Sequence, residues 1–173
     1  MIERIFYNVL SRKKTMERQS LLPLADGVRL ARRDGRKISP AFRRSVRIRQ
    51  VDAGSCNACE WELIALANPV YDIQRFGIDF VASPRHADIL LVTGPVSAGM
   101  LPALKKTWLA TPEPRIVVAC GDCAINGGVF RGGYAVMDGV EKVIPVDASI
   151  PGCPPSPAAI AGSILKLMEE LAG

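Results

Sequence analysis

The sequence carries a single histidine, His86, among its 173 residues, and no nucleophile–base pair accompanies it. Acid–base or covalent chemistry of its own is therefore not expected of this chain. Aromatic residues make up only 6% and do not interleave with the basic residues. No zinc-finger or RNA-binding motif is present, which argues against a nucleic-acid partner. No apolar run reaches the roughly 18 to 20 residues of a membrane span. The first ten residues place Glu3 and Arg4 inside their apolar pattern and lack a signal-peptide core, so secretion is not expected. There is no internal repeat and no low-complexity tract. What is present is a composition with 49% hydrophobic and 23% charged residues, that of one globular domain and too apolar for disorder. Five cysteines, an odd number, without an export signal point to metal or redox chemistry rather than disulfides.

The net charge of +5 is unevenly spread. Residues 1–50 hold fourteen Lys/Arg against four Asp/Glu, whereas the remainder holds eight against thirteen. A surplus confined to one segment is a docking feature more often than a fold feature. Ile2, Ile5, Phe6, Val9 and Leu10 recur at helical spacing and precede Ser11-Arg12-Lys13-Lys14. Such a helix either packs on its own domain or lies on a membrane surface or partner subunit. The second reading is favoured, because Arg18 to Arg44 reads as a polar connector with no core to host the stripe. The expected organisation is a basic amphipathic docking segment, 1–45, followed by a cluster-binding domain, 46–173.

In the second part short apolar strands alternate with helices. Strands are expected at 46–51, 78–81, 89–92 and 116–119, with a weaker one at 143–146. Helices are expected at 63–67, ending at Asn68-Pro69, at 100–109 and at 158–171. Continuous runs such as Ile89-Leu90-Leu91-Val92 suit strands buried on both faces. The pattern predicts an α/β fold with a doubly wound parallel sheet.

The cysteines follow these strands. Cys56-Asn57-Ala58-Cys59 comes after the first, Cys120-Gly121-Asp122-Cys123 after the 116–119 strand, and Pro151-Gly152-Cys153-Pro154-Pro155 after the weaker one. In a parallel sheet such loops emerge at one carboxyl edge, so distant cysteines meet there. Nearby glycines let backbone approach a bulky inorganic group, and the prolines stiffen the Cys153 loop. A zinc ribbon leaves roughly 15 to 20 residues between its CxxC pairs, far fewer than separate Cys59 from Cys120. Nor does zinc explain the fifth cysteine. An iron–sulfur cluster, held by a CxxC and distant single cysteines, fits better. Cys56, Cys59 and Cys153 are the natural ligands. Cys120 ends a buried strand and reads as a core residue; Cys123, beyond the turn in the loop, becomes the fourth.

The runs from Asp52 to Glu60, from Ser83 to Gly94, and from Ile144 to Asp147 on through Pro155 resemble the small subunit of membrane-bound, energy-converting [NiFe] hydrogenases. These are of the formate hydrogenlyase and hydrogenase-4 type. The related cluster-bearing small subunit of respiratory complex I shares most of the pattern. The likeness covers about residues 46 to 173. It implies a flavodoxin-like domain holding one [4Fe-4S] cluster beside the active site of a larger subunit. Its Gly-x-Cys turn before a Gly-Gly pair matches Gly121-Asp122-Cys123 before Gly127-Gly128, in agreement with Cys123. Complex I subunits carry adjacent first cysteines, whereas here two residues intervene, as in hydrogenases. Ala58 stands where the hydrogenase pattern usually has Gly.

The resemblance further implies an oxidoreductase subunit that relays electrons, with the H2-forming or -splitting centre on a partner chain. No cysteines remain for further clusters, so electrons are expected to pass to another subunit. The implied partners are a [NiFe] hydrogenase-type large subunit, a ferredoxin-like multi-cluster subunit and an integral membrane subunit. The hetero-oligomer would lie peripherally on the cytoplasmic side of the cell membrane. Glu62 matches a carboxylate of the family pattern and reads either as an aid to proton movement or partner contact, or as a helix surface charge. Glu60 is expected to be a solvated or interface charge and His86 a hydrogen-bonded structural residue. Arg75 and Arg85 are family-level candidates for subunit contact. Two other functions compete: the equivalent subunit of a complex I-like NADH/quinone oxidoreductase module, and a zinc-stabilised nucleic-acid-binding module.

Overall fold

The structure is a computed structural model describing residues 29–30 and 45–172. The amphipathic helix expected at the start of the chain lies outside the described residues.

In chain order the strands are β1 (Arg29–Leu30), β2 (Val46–Asp52), β3 (Ile78–Phe80), β4 (Ile89–Thr93), β5 (Ile116–Cys120) and β6 (Ala148–Ile150). The helices among the described residues are α1 (Ala58–Ala65), α2 (Leu101–Ala110), α3 (Asp122–Asn126) and α4 (Pro157–Ala172), with short 3-10 turns between. The sheet order is β1-β6-β5-β4-β2-β3. Strands β2 to β6 pair in parallel, and β1 pairs antiparallel with β6. Counted among themselves, the five parallel strands run 2-1-3-4-5, the flavodoxin-like order.

The continuous apolar runs feed two separate layers, because successive side chains of a strand point to opposite faces. Ile48, Ile89, Leu91, Ile116, Val118 and Cys120 meet Leu63 of α1 and Ile160 and Ile164 of α4. Val51, Leu90, Val92, Val117 and Ala119 meet Leu104 of α2 and Ala124 of α3 on the other face. Each fully buried Leu or Ile contributes about 1.5 to 3 kcal/mol of transfer free energy. The sheet is thus fixed from both sides, and its loops inherit that rigidity.

Helix α1 begins at Ala58, five residues before the helix expected at 63–67, and three further details differ from the sequence expectation. The last parallel strand is not 143–146 but Ala148–Ile150. Pro145 has no N–H for a ladder, and Val140–Lys142 form a 3-10 turn that buries Val140 and Ile144 beneath the sheet. Inside the stretch expected to be a connector, Arg29–Leu30 adds an edge strand. Finally, Cys123 sits in the first turn of α3 rather than in open loop, and it is buried.

Candidate cysteine site at the carboxyl edge of the sheet

Three loops build the site. In the first, Asp52 at the end of β2 accepts the N–H groups of Gly54 and Ser55, each at 2.8 Å, forming a side-chain-capped turn. Ser55 Oγ then accepts the Asn57 N–H at 3.0 Å. Asn57 takes a left-handed backbone (φ 72) as the N-cap of α1, a conformation that asparagine tolerates better than most residues. The result leaves Cys56 exposed in the turn and Cys59 half-buried in the first turn of α1.

The second and third loops are stitched to each other. Gly121 N–H donates to Ile150 O at 2.8 Å and Asp122 N–H to Gly152 O at 2.9 Å. Gly152 N–H returns a bond to Asp122 Oδ1 at 2.9 Å. Asp122 therefore latches the Cys123 helix to the exposed Cys153 turn. Asp122→Ala removes a charged acceptor and should lower the unfolding free energy by about 1.5 kcal/mol. Denaturant titration of the metal-free protein measures this, and Asp122→Asn should restore most of the loss.

The sulfurs press closely on backbone. A Cβ at Gly121 would lie 2.7 Å from Cys59 Sγ, and one at Gly128 2.8 Å from Cys123 Sγ. Both glycines also have positive φ, 89 and 49 respectively, so glycine is required there for space and for conformation.

Electrostatics link the loops. Burial pushes the Cys123 thiol up, and the neighbouring sulfurs of Cys153, Cys56 and Cys59 act in the same direction against a backbone hydrogen bond at Val129. The Cys59 thiol is lowered, chiefly by a hydrogen bond from Cys120 and against burial and the charges of Glu60 and Asp122. Cys120 is raised well above the ordinary thiol range, first by that same bond and then by burial. Cys120 is fully enclosed in the α1/α4 layer. All five cysteines are free thiols. Among the described residues no three His, Cys, Asp or Glu side chains converge tightly enough to share one metal ion. Instead, the three loops lie against one another, with Gly121 beside Cys59 Sγ and the Asp122 turn hydrogen-bonded to the Gly152 turn. Four soft thiolate donors around glycine backbone suit an iron–sulfur group by donor chemistry.

The other candidates fall as follows. Glu60 is not a solvated or interface charge: it is 7% exposed, with Ser55 and Thr93 hydroxyls on its carboxylate. Glu62 is half-buried on α1. His86 is exposed in the turn Pro84–His86, its backbone N–H bonded to Ser83 O at 3.2 Å. Arg75 and Arg85 are exposed, with the Arg75 guanidinium 4.8 Å from the Phe76 ring centre. Sequence reasoning did not single out Asp122 or Thr93. The available signal was position, since Asp122 lies inside the Gly-x-Cys turn and Thr93 ends the apolar β4 run.

A flavodoxin-like α/β domain with cysteines from three strand-end loops at one edge is the class that the fold and site define. The chain belongs to the family of the NADH ubiquinone oxidoreductase 20 Kd subunit, which it matches over residues 56–167. It is 48% identical over 118 residues to formate hydrogenlyase subunit 7 of Escherichia coli, covering 68% of this chain and 46% of that one. Over 129 residues it is 46% identical to the probable membrane-bound hydrogenase subunit mbhJ of Pyrococcus furiosus, covering 75% and 77%. A chain in the solved structure of a membrane-bound sulfane sulfur reductase, an archaeal respiratory membrane complex, superimposes with a TM-score of 0.67. That match is 36% identical and covers 78% of this chain and 77% of the other. By family this chain is a subunit of an oxidoreductase complex, and an iron–sulfur group is implied by that membership.

Proposed function

We propose that this chain is the electron-transfer subunit of a membrane-associated [NiFe] hydrogenase complex. In this reading Cys56, Cys59, Cys123 and Cys153 hold one [4Fe-4S] cluster next to the active site of a larger subunit. The observation that carries the proposal is that the three cysteine loops meet at one sheet edge: a Cβ on Gly121 would touch Cys59 Sγ, and the Asp122 and Gly152 turns are hydrogen-bonded to each other. Cys120 is instead fully buried at the end of β5 among the core side chains of the α1/α4 layer. When bound, such a cluster supplies one-electron relay. The chain's own residues fix the ligands: Asp52 shapes the first loop, Asp122 joins the other two, and Gly121 and Gly128 clear space beside two sulfurs.

The large subunit is proposed to cover the cysteine edge. Trp61 (65% exposed), two residues beyond Cys59, and Val129 (80%), next to Gly128, give that edge an apolar rim, the residue types that interfaces bury. The spacing of Cys56 and Cys59 favours the hydrogenase branch over the complex I-like module. Anaerobic purification of the tagged chain tests this. A nickel-containing large subunit should co-purify and the complex should oxidise or evolve H2, whereas a nickel-free partner with quinone reductase activity would install the complex I-like reading.

Membrane association is proposed to come from the basic N-terminal segment and a membrane partner, since among the described residues no helix is long and apolar enough to cross a membrane. Deleting residues 1–19 should move the protein to the soluble fraction while its iron content is unchanged. Basic residues near an anionic surface contribute about 1 kcal/mol each, so high salt should weaken binding of the intact chain. Membrane retention of the deleted form would refute the assignment.

A further inference from the structure

Glu60 is a carboxylate in an unexpected place. It follows Cys59 in the first turn of α1 and is 7% exposed. Its Oε2 accepts the Ser55 hydroxyl at 2.6 Å, and its Oε1 is bonded to the hydroxyl of Thr93. Thr93 is itself fully buried at the end of β4, with its hydroxyl 3.4 Å from Val51 O. The ion pairs Arg115–Glu113 and Lys142–Asp138 do not involve Glu60. A buried carboxylate needs its oxygens hydrogen-bonded, and here each oxygen is bonded to a hydroxyl.

The arrangement has two physical consequences. Ser55 immediately precedes Cys56 and Glu60 immediately follows Cys59, so the carboxylate closes the CxxC turn from both ends. Thr93 pins that closed turn to β4, at the point between β2 and β4 where the strand order reverses. The carboxylate also lies directly beside the cysteine pair, one residue from Cys59 in α1 and bonded to Ser55 next to Cys56. We propose that Glu60 is a positioning residue that fixes the separation of Cys56 and Cys59 through Ser55 and Thr93. Its charge also lowers the reduction potential of the group those cysteines hold. Reduction adds one electron to that group, and a fixed negative charge nearby opposes it. This inference rests on the ligand assignment proposed above.

The test uses the anaerobically purified complex, with iron and sulfide content, EPR g values and redox titration as readouts. Glu60→Gln keeps an amide in contact with both hydroxyls but removes the charge. It should raise the reduced-to-oxidised ratio at fixed potential about tenfold, a positive shift of about 59 mV for one electron, with g values unchanged. Thr93→Val keeps the charge but releases the pin, so it should shift or broaden the EPR signal, and Thr93→Ser should restore it. If Glu60→Gln loses iron altogether, the Thr93 pair decides: a signal altered by Val and restored by Ser supports the inference, and two unaltered signals overturn it. A wild-type cluster with unchanged potential in Glu60→Gln and an unchanged spectrum in Thr93→Val overturns the role of Glu60 alone. Wild-type complex whose EPR and iron content assign no four-iron cluster to this chain overturns the ligand assignment, and this inference with it.

Discussion

Changing Cys153 to Ala should abolish the reduced-state EPR signal assigned to this subunit and remove up to four irons from the purified complex. Cys153 is the sole cysteine of its loop, exposed between prolines, and no other described cysteine follows β6 to replace it. An incomplete thiolate set leaves one iron without its protein ligand, and iron–sulfur clusters generally take four cysteines. Cys120→Ala is the contrasting case. Its sulfur is fully buried in the α1/α4 layer, so loss of that thiol should retain the irons. The proposed ligand set fails if the two variants exchange behaviours, with Cys120→Ala losing the signal and Cys153→Ala keeping it.

Gly121→Ala should be strongly destabilising and should also disturb the cysteine site. Its φ of 89 and ψ of 155 lie in a region almost confined to glycine, worth about 1 to 3 kcal/mol of strain for other residues. The added Cβ would also stand 2.7 Å from Cys59 Sγ and 3.5 Å from Gly152 O. The Cys59 side chain has to move, and the Cys153 loop is bonded to the same turn. An expected loss of about 3 kcal/mol lowers the Tm of a domain this size by roughly 6 to 12 °C. Calorimetry of the metal-free protein isolates that part. Iron content after anaerobic loading should fall as well. Gly132→Ala, where φ is 77 and nothing lies within 4 Å of the added methyl, carries backbone strain without the sulfur clash. It should therefore lower Tm while leaving iron content intact.

Local chemistry made the framework of the fold and the candidate ligands legible. Runs such as Ile89–Thr93 and Ile116–Cys120 must be buried on both faces because no position in them tolerates water, and a sheet covered on both sides is the structure that satisfies them. Once strands alternate with helices, the loops after them share one edge, so cysteines some sixty residues apart become candidates for one site before any coordinates exist. The Gly-x-Cys and Pro-Gly-Cys-Pro-Pro turns were legible for the same reason, as each marks a backbone demand within a few residues.

What only the tertiary structure decided depends on neighbours distant in sequence. A glutamate after a CxxC motif gives no local sign of burial; Thr93, 33 residues away, supplies the hydroxyl that encloses Glu60. The last parallel strand forms at Ala148–Ile150 because β5 offers hydrogen bonds there, while the more apolar Ile144 fills space beneath the sheet. Arg29–Leu30 becomes a strand by pairing with β6, a partner more than a hundred residues further along. Periodicity and spacing are properties of the chain by itself, and they fixed the layers and brought the cysteines to one edge. Burial, register and charge environment are properties of which surfaces meet, and they exist only after the chain has closed on itself.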